Sequence, residues 1–322
     1  MNVSPVALGA WALGGWRWGG KEKNRPEDTV RASIDAGINL IDTAPVYGFG
    51  FSEEVVGQAI QGHRDKVLIA TKCGIVWDDR PGAEKHFDTF DNDGNPVSLC
   101  RCLRKESVFQ ECDDSLKRLG IDVIDIYQCH WPDPNTPVEE TIDALITLQD
   151  KGKIREYGVS NFTADQMEEC LKYGVIASDQ PKYSLLTRDI EDEILPFCIE
   201  NDIGIIAYSP MENGLLTGKI TVDQEFPDGD LRNDKPWFKP ENRQNAITAL
   251  NKIRPVAEKY NATLGQIALA WVFSQPGITS AIAGARNGEQ AKSNAQAARI
   301  LLEDKDIEEI KKIFEFVSLN QA

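Results

Sequence analysis

Short apolar runs and amphipathic helical patterns alternate eight times along this 322-residue chain, and few folds accommodate such a repeat. The runs are VALGAW (6–11), INLID (38–42), KVLIATK (66–72), VIDIYQCH (123–130), REYGVSNF (155–162), VIASDQ (175–180), IGIIAYSP (203–210) and TSAIAGA (279–285). Helical patterns follow them, among them SEEVVGQAIQG (52–62), KESVFQECDDSLKRLG (105–120) and GEQAKSNAQAAR (288–299). Apolar strands without a polar face, separated by helices, predict a parallel sheet covered on both sides. Eight units favour closure into a (β/α)8 TIM barrel, an α/β fold with one domain over 1–322, rather than an open doubly wound sheet. Pro26 suits a first helical turn and Gly37 the C-terminal turn that ends it, while Thr163 and Asn161 can cap the helix that follows.

Two stretches interrupt the repeat. Residues 74–102, GIVWDDRPGAEKHFDTFDNDGNPVSLCRC, are too polar and glycine-rich for core and read as a long loop shaping a pocket. Residues 211–242 read as a flap over a bound cofactor.

Composition excludes several partners. A net charge of −16 opposes nucleic acid and anionic membrane surfaces, and no apolar run approaches the roughly 20 residues of a membrane span. No basic segment precedes the apolar opening, so a secretion signal is not expected. Seven cysteines without a regular framework suit reduced thiols in the cytoplasm, and the isolated Cys100-x-Cys102 pair is read as structural. Cys73 and Cys129 flank Lys72 and His130. The three histidines, His63, His86 and His130, lie in separate segments and do not make a metal site. A glycine fingerprint for a Rossmann dinucleotide site is also missing, and GLLTGK is one residue short of a phosphate loop.

Asp42, Tyr47, Lys72 and His130 each fall at or just beyond the C-terminal end of a different expected strand, where barrel enzymes keep their chemistry. A tyrosine ordinarily releases its proton near pH 10, so a buried ammonium from Lys72 is expected to favour the phenolate, with Asp42 keeping that lysine charged. Tyr47 is then the candidate proton donor, and His130 the group that orients a substrate oxygen.

The blocks NLIDTAPVYGFGFSEEVVG, VLIATK, IDIYQCHWPDP, KIREYGVSNF and AGARN resemble, in order, those of the aldo-keto reductase superfamily, over about Val6 to Asn294. The opening GAWALGGWRWGG, the APVYGFG turn and the DLRN segment are most similar to its bacterial general-stress-type members. That resemblance implies an NADP(H)-dependent enzyme interconverting carbonyl compounds (aldehydes, ketones or sugars) and alcohols, with NADP(H) preferred over NAD(H). Ala10 and Trp11 would lie beside the nicotinamide, Ser160, Asn161 and Gln180 would bond its carboxamide, and Tyr208 would stack on its ring. Ser209, Pro210, Met211, Gly214, Leu215 and Lys219 would wrap the pyrophosphate. Gly284, Ala285, Arg286, Gln290 and Asn294, with Arg232, would hold the adenosine 2′-phosphate, although many relatives have a basic residue at the position of Gln290. Relatives also carry a hairpin before the first strand, where this chain has only MNVSP, so a truncated hairpin or side chains alone are expected to plug the barrel floor.

Trp16, Trp18, Trp77 and Trp131 are expected to rim a substrate pocket suited to a sugar or other polyhydroxylated carbonyl compound. Another reading of the resemblance is a nicotinamide-binding, redox-sensing regulatory subunit with little turnover, like the potassium-channel β subunits. A metal-dependent barrel hydrolase fails on ligand count. Oligomeric state is not legible.

Overall fold

The structure is a computed structural model that describes residues 1–19 and 25–319; Gly20, the last residue of the opening block, lies outside them. Eight parallel strands close into a barrel: β1 (Val6–Gly9), β2 (Leu40–Asp42), β3 (Leu68–Cys73), β7 (Ile124–Cys129), β8 (Ile154–Ser160), β9 (Ser178–Gln180), β10 (Gly204–Ala207) and β11 (Ile278–Gly284). The ring runs β1-β11-β10-β9-β8-β7-β3-β2 and closes through Leu8↔Ile41 and Gly9↔Asp42. The expected eight-unit barrel is therefore present, with helices packed outside it.

Side chains in a strand alternate between faces, so each strand carries one row into the lumen and one toward the helices. The lower lumen is filled by Ala7, Leu40, Ala70, Ile126, Ile206 and Ile282. One pleat higher along the same row stand Asp42, Lys72 and Gln128, joined by Gln180 from β9. The barrel is thus apolar at its base and polar at its C-terminal mouth. The outward row packs with the helices in a second, larger core that includes Ile41, Ile69, Tyr127, Val159 and Ile205.

Among the described residues no strand precedes β1. Val3 packs under the lumen cluster, Ser4 N donates to Asn39 Oδ1 (2.7 Å), and Asn39 N donates to Ser4 Oγ (3.1 Å). These contacts tie the described residues before β1 to the barrel floor.

The stretch after β3 departs from the expected loop. It forms a three-stranded antiparallel sheet of β4 (Ile75–Val76), β5 (Glu84–Phe90) and β6 (Pro96–Arg101), ordered β4-β6-β5. The strand Glu84–Phe90 is mostly polar, with only Phe87 and Phe90 apolar, while Val97, Ser98 and Leu99 alternate in its partner, and Asp91 to Asn95 turn between them, with Asp91 Oδ1 accepting from the amides of Asp93 and Asn95. A half-exposed hairpin needs such polarity, which a search for buried strands overlooks. The stretch after β10 is built of short 3₁₀ turns and reaches across the mouth: Leu231 N donates to Arg17 O (2.9 Å), and Arg17 pairs with Asp234. No helix among the described residues is long and apolar enough to cross a membrane, and all seven cysteines are free thiols.

Candidate active site

The turn that carries Tyr47 is fixed by backbone contact. A Cβ on Gly14 would lie 2.6 Å from Tyr47 O, and one on Gly48, where φ is +73°, would lie 2.3 Å from Gly14 O. Only glycine at both positions lets the β2 turn sit directly on the Trp11–Gly14 helix. Behind it, Ser52 Oγ donates to Ala10 O (3.0 Å) and lies 2.8 Å from Thr43 Oγ1. Asp42 ends β2 and Tyr47 lies in the turn that follows it, so the four candidate residues come from three strands, not four.

Lys72 Nζ lies 2.8 and 2.9 Å from the two Asp42 oxygens, 2.9 Å from Thr43 O and 3.3 Å from Tyr47 Oη. An ammonium has three protons for these four acceptors, and the phenol takes the longest contact. Lys72 and Asp42 are both buried, so each holds the other in place; removing one partner of such a pair costs about 3–5 kcal/mol. Burial lowers the Lys72 pKa, and Asp42 and then Glu53 push it back up. Glu53 acts by its charge from the outer face of β3, where the Thr71 hydroxyl donates to it at 2.6 Å and Arg118 pairs with its other oxygen.

Tyr47 differs from expectation. Its pKa is raised well above 10.0, first by burial and then by the Asp42 charge. Burial and the Asp42 charge outweigh the long Lys72 contact, so the resting group is a neutral phenol, not a phenolate. Trp11 stacks on the Tyr47 ring (centroids 5.5 Å apart, planes at 14°), and His130 meets it edge-on at 5.8 Å. Burial and then the charge of Lys72 hold His130 well below the ordinary 6.5, which makes it a neutral imidazole. The arrangement can hold an oxygen between an imidazole and a phenol that keeps its proton.

These groups form one end of a cavity of about 820 Å³. From Tyr47 and His130 it passes Ser160, Asn161, Gln180 and Tyr208, then Ser209, Pro210, Met211, Gly214 and Lys219, and ends at Gly284, Arg286, Gln290 and Asn294. Ala10, Leu215 and Ala285 are fully buried behind this wall rather than on it.

The polar groups along the cavity are already ordered. Gln180 Nε2 donates to Asp42 Oδ2 (2.8 Å) and Gln128 Oε1 (2.9 Å), so only its Oε1 is left for a ligand, as an acceptor. Asn161, at φ +62°, donates to His130 O and Ser160 Oγ and accepts from Tyr208 Oη at 2.9 Å. After β10, Ser209, Glu212, Asn213 and Gly214 all have positive φ, and the tight bend is closed by the Glu212 and Gly214 amides donating to Ser209 O (2.9 Å) and Met211 O (3.0 Å). The bend is anchored by buried Glu212, which pairs with Lys182 at 2.7 Å. Asn213 Oδ1 lines this part of the cavity, buried and without a hydrogen-bond partner. At the far end Asn287 caps the Gly288–Gln296 helix, and Gln290 Oε1 accepts from Arg286 N. An acceptor for an amide (Gln180), an aromatic face (Tyr208), a tight bend beside a cation (Lys219) and a guanidinium (Arg286) occur in the order that a nicotinamide dinucleotide presents its parts, so the residues fit that cofactor.

Not every predicted residue lies on the wall, and the wall holds others. Arg232 lines the cavity with both Asp230 oxygens bonded to its guanidinium, which is sandwiched by Phe226 (4.3 Å) and Trp18 (4.9 Å); its charge is already matched. Trp77 stays off the cavity wall because its indole packs edge-on against Phe49 at 5.3 Å, whereas Trp16, Trp18 and Trp131 line the cavity. Ile75, His86, Phe87 and Leu99 of the added sheet, and Asn287, Glu289 and Ser293 at the far end, also line it and were missed. The sheet residues had no sequence signal once their segment was read as loop; Asn287 had one, as a cap before a helix.

The model of the aldo/keto reductase family matches residues 5–315. The chain belongs to that family of oxidoreductases. It is 38% identical over 318 residues to the aldo-keto reductase YhdN of Bacillus subtilis, covering 98% of this chain and 91% of that one. It is 42% identical over 312 residues to the NADH-specific methylglyoxal reductase of Escherichia coli, covering 95% and 93%. The solved structure of the glycerol dehydrogenase AKR11B4 from Gluconobacter oxydans superposes with a TM-score of 0.88 at 37% identity, covering 99% and 94%.

Proposed function

We propose that this protein is an NADP(H)-linked oxidoreductase that interconverts small carbonyl compounds and alcohols, with Tyr47 as the proton donor in reduction and the proton acceptor in oxidation. The observation that carries this is the Lys72 Nζ contact to Tyr47 Oη (3.3 Å) at the closed end of a cavity whose other end holds Arg286. A bound reduced nicotinamide supplies hydride. The chain's own residues do the rest. His130 donates from its neutral imidazole to the substrate carbonyl oxygen and fixes its direction. As that oxygen gains negative charge, the Tyr47 proton moves to it, and Lys72 Nζ lies against the phenolate oxygen left behind. Asp42 keeps the lysine in place, and Gln180 keeps Asp42 in place. Trp11 and the indoles beyond it exclude water from the proton path.

Preference for NADP(H) rests on Arg286, whose guanidinium can bind a phosphate through two hydrogen bonds. Glu289 on the same wall opposes it, and the methylglyoxal reductase relative is described as NADH-specific, so the preference is a quantity to be measured. Free thiols and the absence of a long apolar helix among the described residues suit a cytoplasmic enzyme.

The test is NADPH consumption with a panel of short aldehydes and ketones, paired with NADP⁺ reduction by alcohols. Steady turnover in either direction is expected; tight nucleotide binding with no turnover on any carbonyl would leave a redox-sensing subunit as the better reading.

A further inference from the structure

Of the wall that the added sheet contributes, Ile75, Phe87 and Leu99 are apolar and His86 alone is polar. Its ring lies 5.5 Å from Trp131, the residue after His130, and 5.0 Å from Phe87. Among the described residues, neither His86 nor His130 makes a side-chain hydrogen bond to protein, although both are half-buried. Both are also neutral: burial and the Arg101 charge lower His86, much as burial and Lys72 lower His130. A neutral imidazole offers one N–H donor and one acceptor nitrogen. The indoles of the surrounding wall offer no acceptor: Trp11 Nε1 is bonded to Trp16 O (3.1 Å), Trp16 Nε1 to Thr89 Oγ1 (3.3 Å), and Trp18 Nε1, which has no partner, can only donate.

A substrate whose reacting oxygen sits between Tyr47 and His130 therefore extends past Trp131 toward a second unpaired imidazole. We propose that His86 is a specificity residue that binds a second oxygen of the substrate, a hydroxyl or oxo group beyond the reacting carbon, so that the site selects short hydroxylated or dicarbonyl compounds over simple aldehydes. This rests on the reductase reading above and adds the class of substrate. A buried hydroxyl without a partner costs about 1–3 kcal/mol, and a site that supplies the partner gains discrimination against the analogue that lacks the group.

The experiment compares kcat/KM, per free aldehyde, for propanal, 2-hydroxypropanal and 3-hydroxypropanal, using wild type and His86→Leu with matched Tm and NADPH affinity. Wild type is expected to favour at least one hydroxylated member over propanal by about tenfold or more. His86→Leu should bring the three within about twofold by lowering the hydroxylated member alone, and His86→Asn, which keeps a donor and an acceptor, should restore part of the preference. Equal losses on all three substrates, or a wild type that treats them alike, would overturn the assignment while leaving the reductase reading intact. A wild type inert toward every aldehyde would instead remove the reductase reading and this inference with it.

Discussion

Gln180 Nε2 donates to Asp42 Oδ2 at 2.8 Å, so the end of β9 and the end of β2 share one buried network in which Asp42 also holds Lys72. The same carboxamide turns its remaining acceptor toward the cavity. Gln180→Met removes both contacts. Steady-state kinetics and a fluorescence titration of NADPH should show weaker nucleotide binding together with a kcat about tenfold lower or more. Weaker binding with unchanged kcat would mean that the bond to Asp42 is not used in turnover.

The neutral phenol sets the pH dependence of reduction. Tyr47 is active as an acid in its protonated form, and its pKa is raised above 10.0; His130 is active as neutral imidazole, and its pKa is lowered below 6.5. Neither group changes state between those two values. kcat/KM for carbonyl reduction should therefore be flat from about pH 6.5 through the neutral range and fall on the alkaline side only where Lys72, whose pKa burial lowers from 10.5, loses its proton; an acid-side fall centred above about pH 6.5 would contradict a His130 held neutral.

Arg286→Ala tests nucleotide preference. KM for NADPH should rise about tenfold or more while KM for NADH changes by less than about twofold. Parallel changes for both nucleotides would show that no 2′-phosphate is read there.

Asp179 faces away from the lumen on β9, and no contact to either of its buried oxygens meets hydrogen-bond geometry. Burial raises its pKa to about 8, with the Gln180 backbone amide offsetting little of that. The unfolded chain ionises near 3.8 while the native state keeps the proton, so the group's contribution is complete below about pH 4 and declines as pH rises toward 8. Asp179→Asn removes this decline. Its Tm relative to wild type should rise from pH 4 to pH 8; a difference that stays constant across that range would contradict the neutral assignment.

The barrel was legible because its strands are largely apolar runs set apart by helical patterns, and because Asp42, Lys72 and His130 fall where three of those runs end. The added sheet was not, because a hairpin with one wet face is as polar as a loop, and His86 was hidden with it. Tyr47 shows a different limit: the residues around the phenol could be listed from sequence, but the sign of their effect depended on whether burial and the Asp42 charge outweighed the Lys72 contact. Trp77 was misplaced because nearness in sequence to the pocket loops says nothing about which side of Phe49 an indole occupies.

The most direct test is Tyr47→Phe, which keeps the ring stacked on Trp11 and removes only the hydroxyl that Lys72 touches. NADPH affinity and Tm should stay close to wild type while kcat for carbonyl reduction falls about 10²- to 10⁴-fold. A variant that binds NADPH and turns over near the wild-type rate would contradict the account.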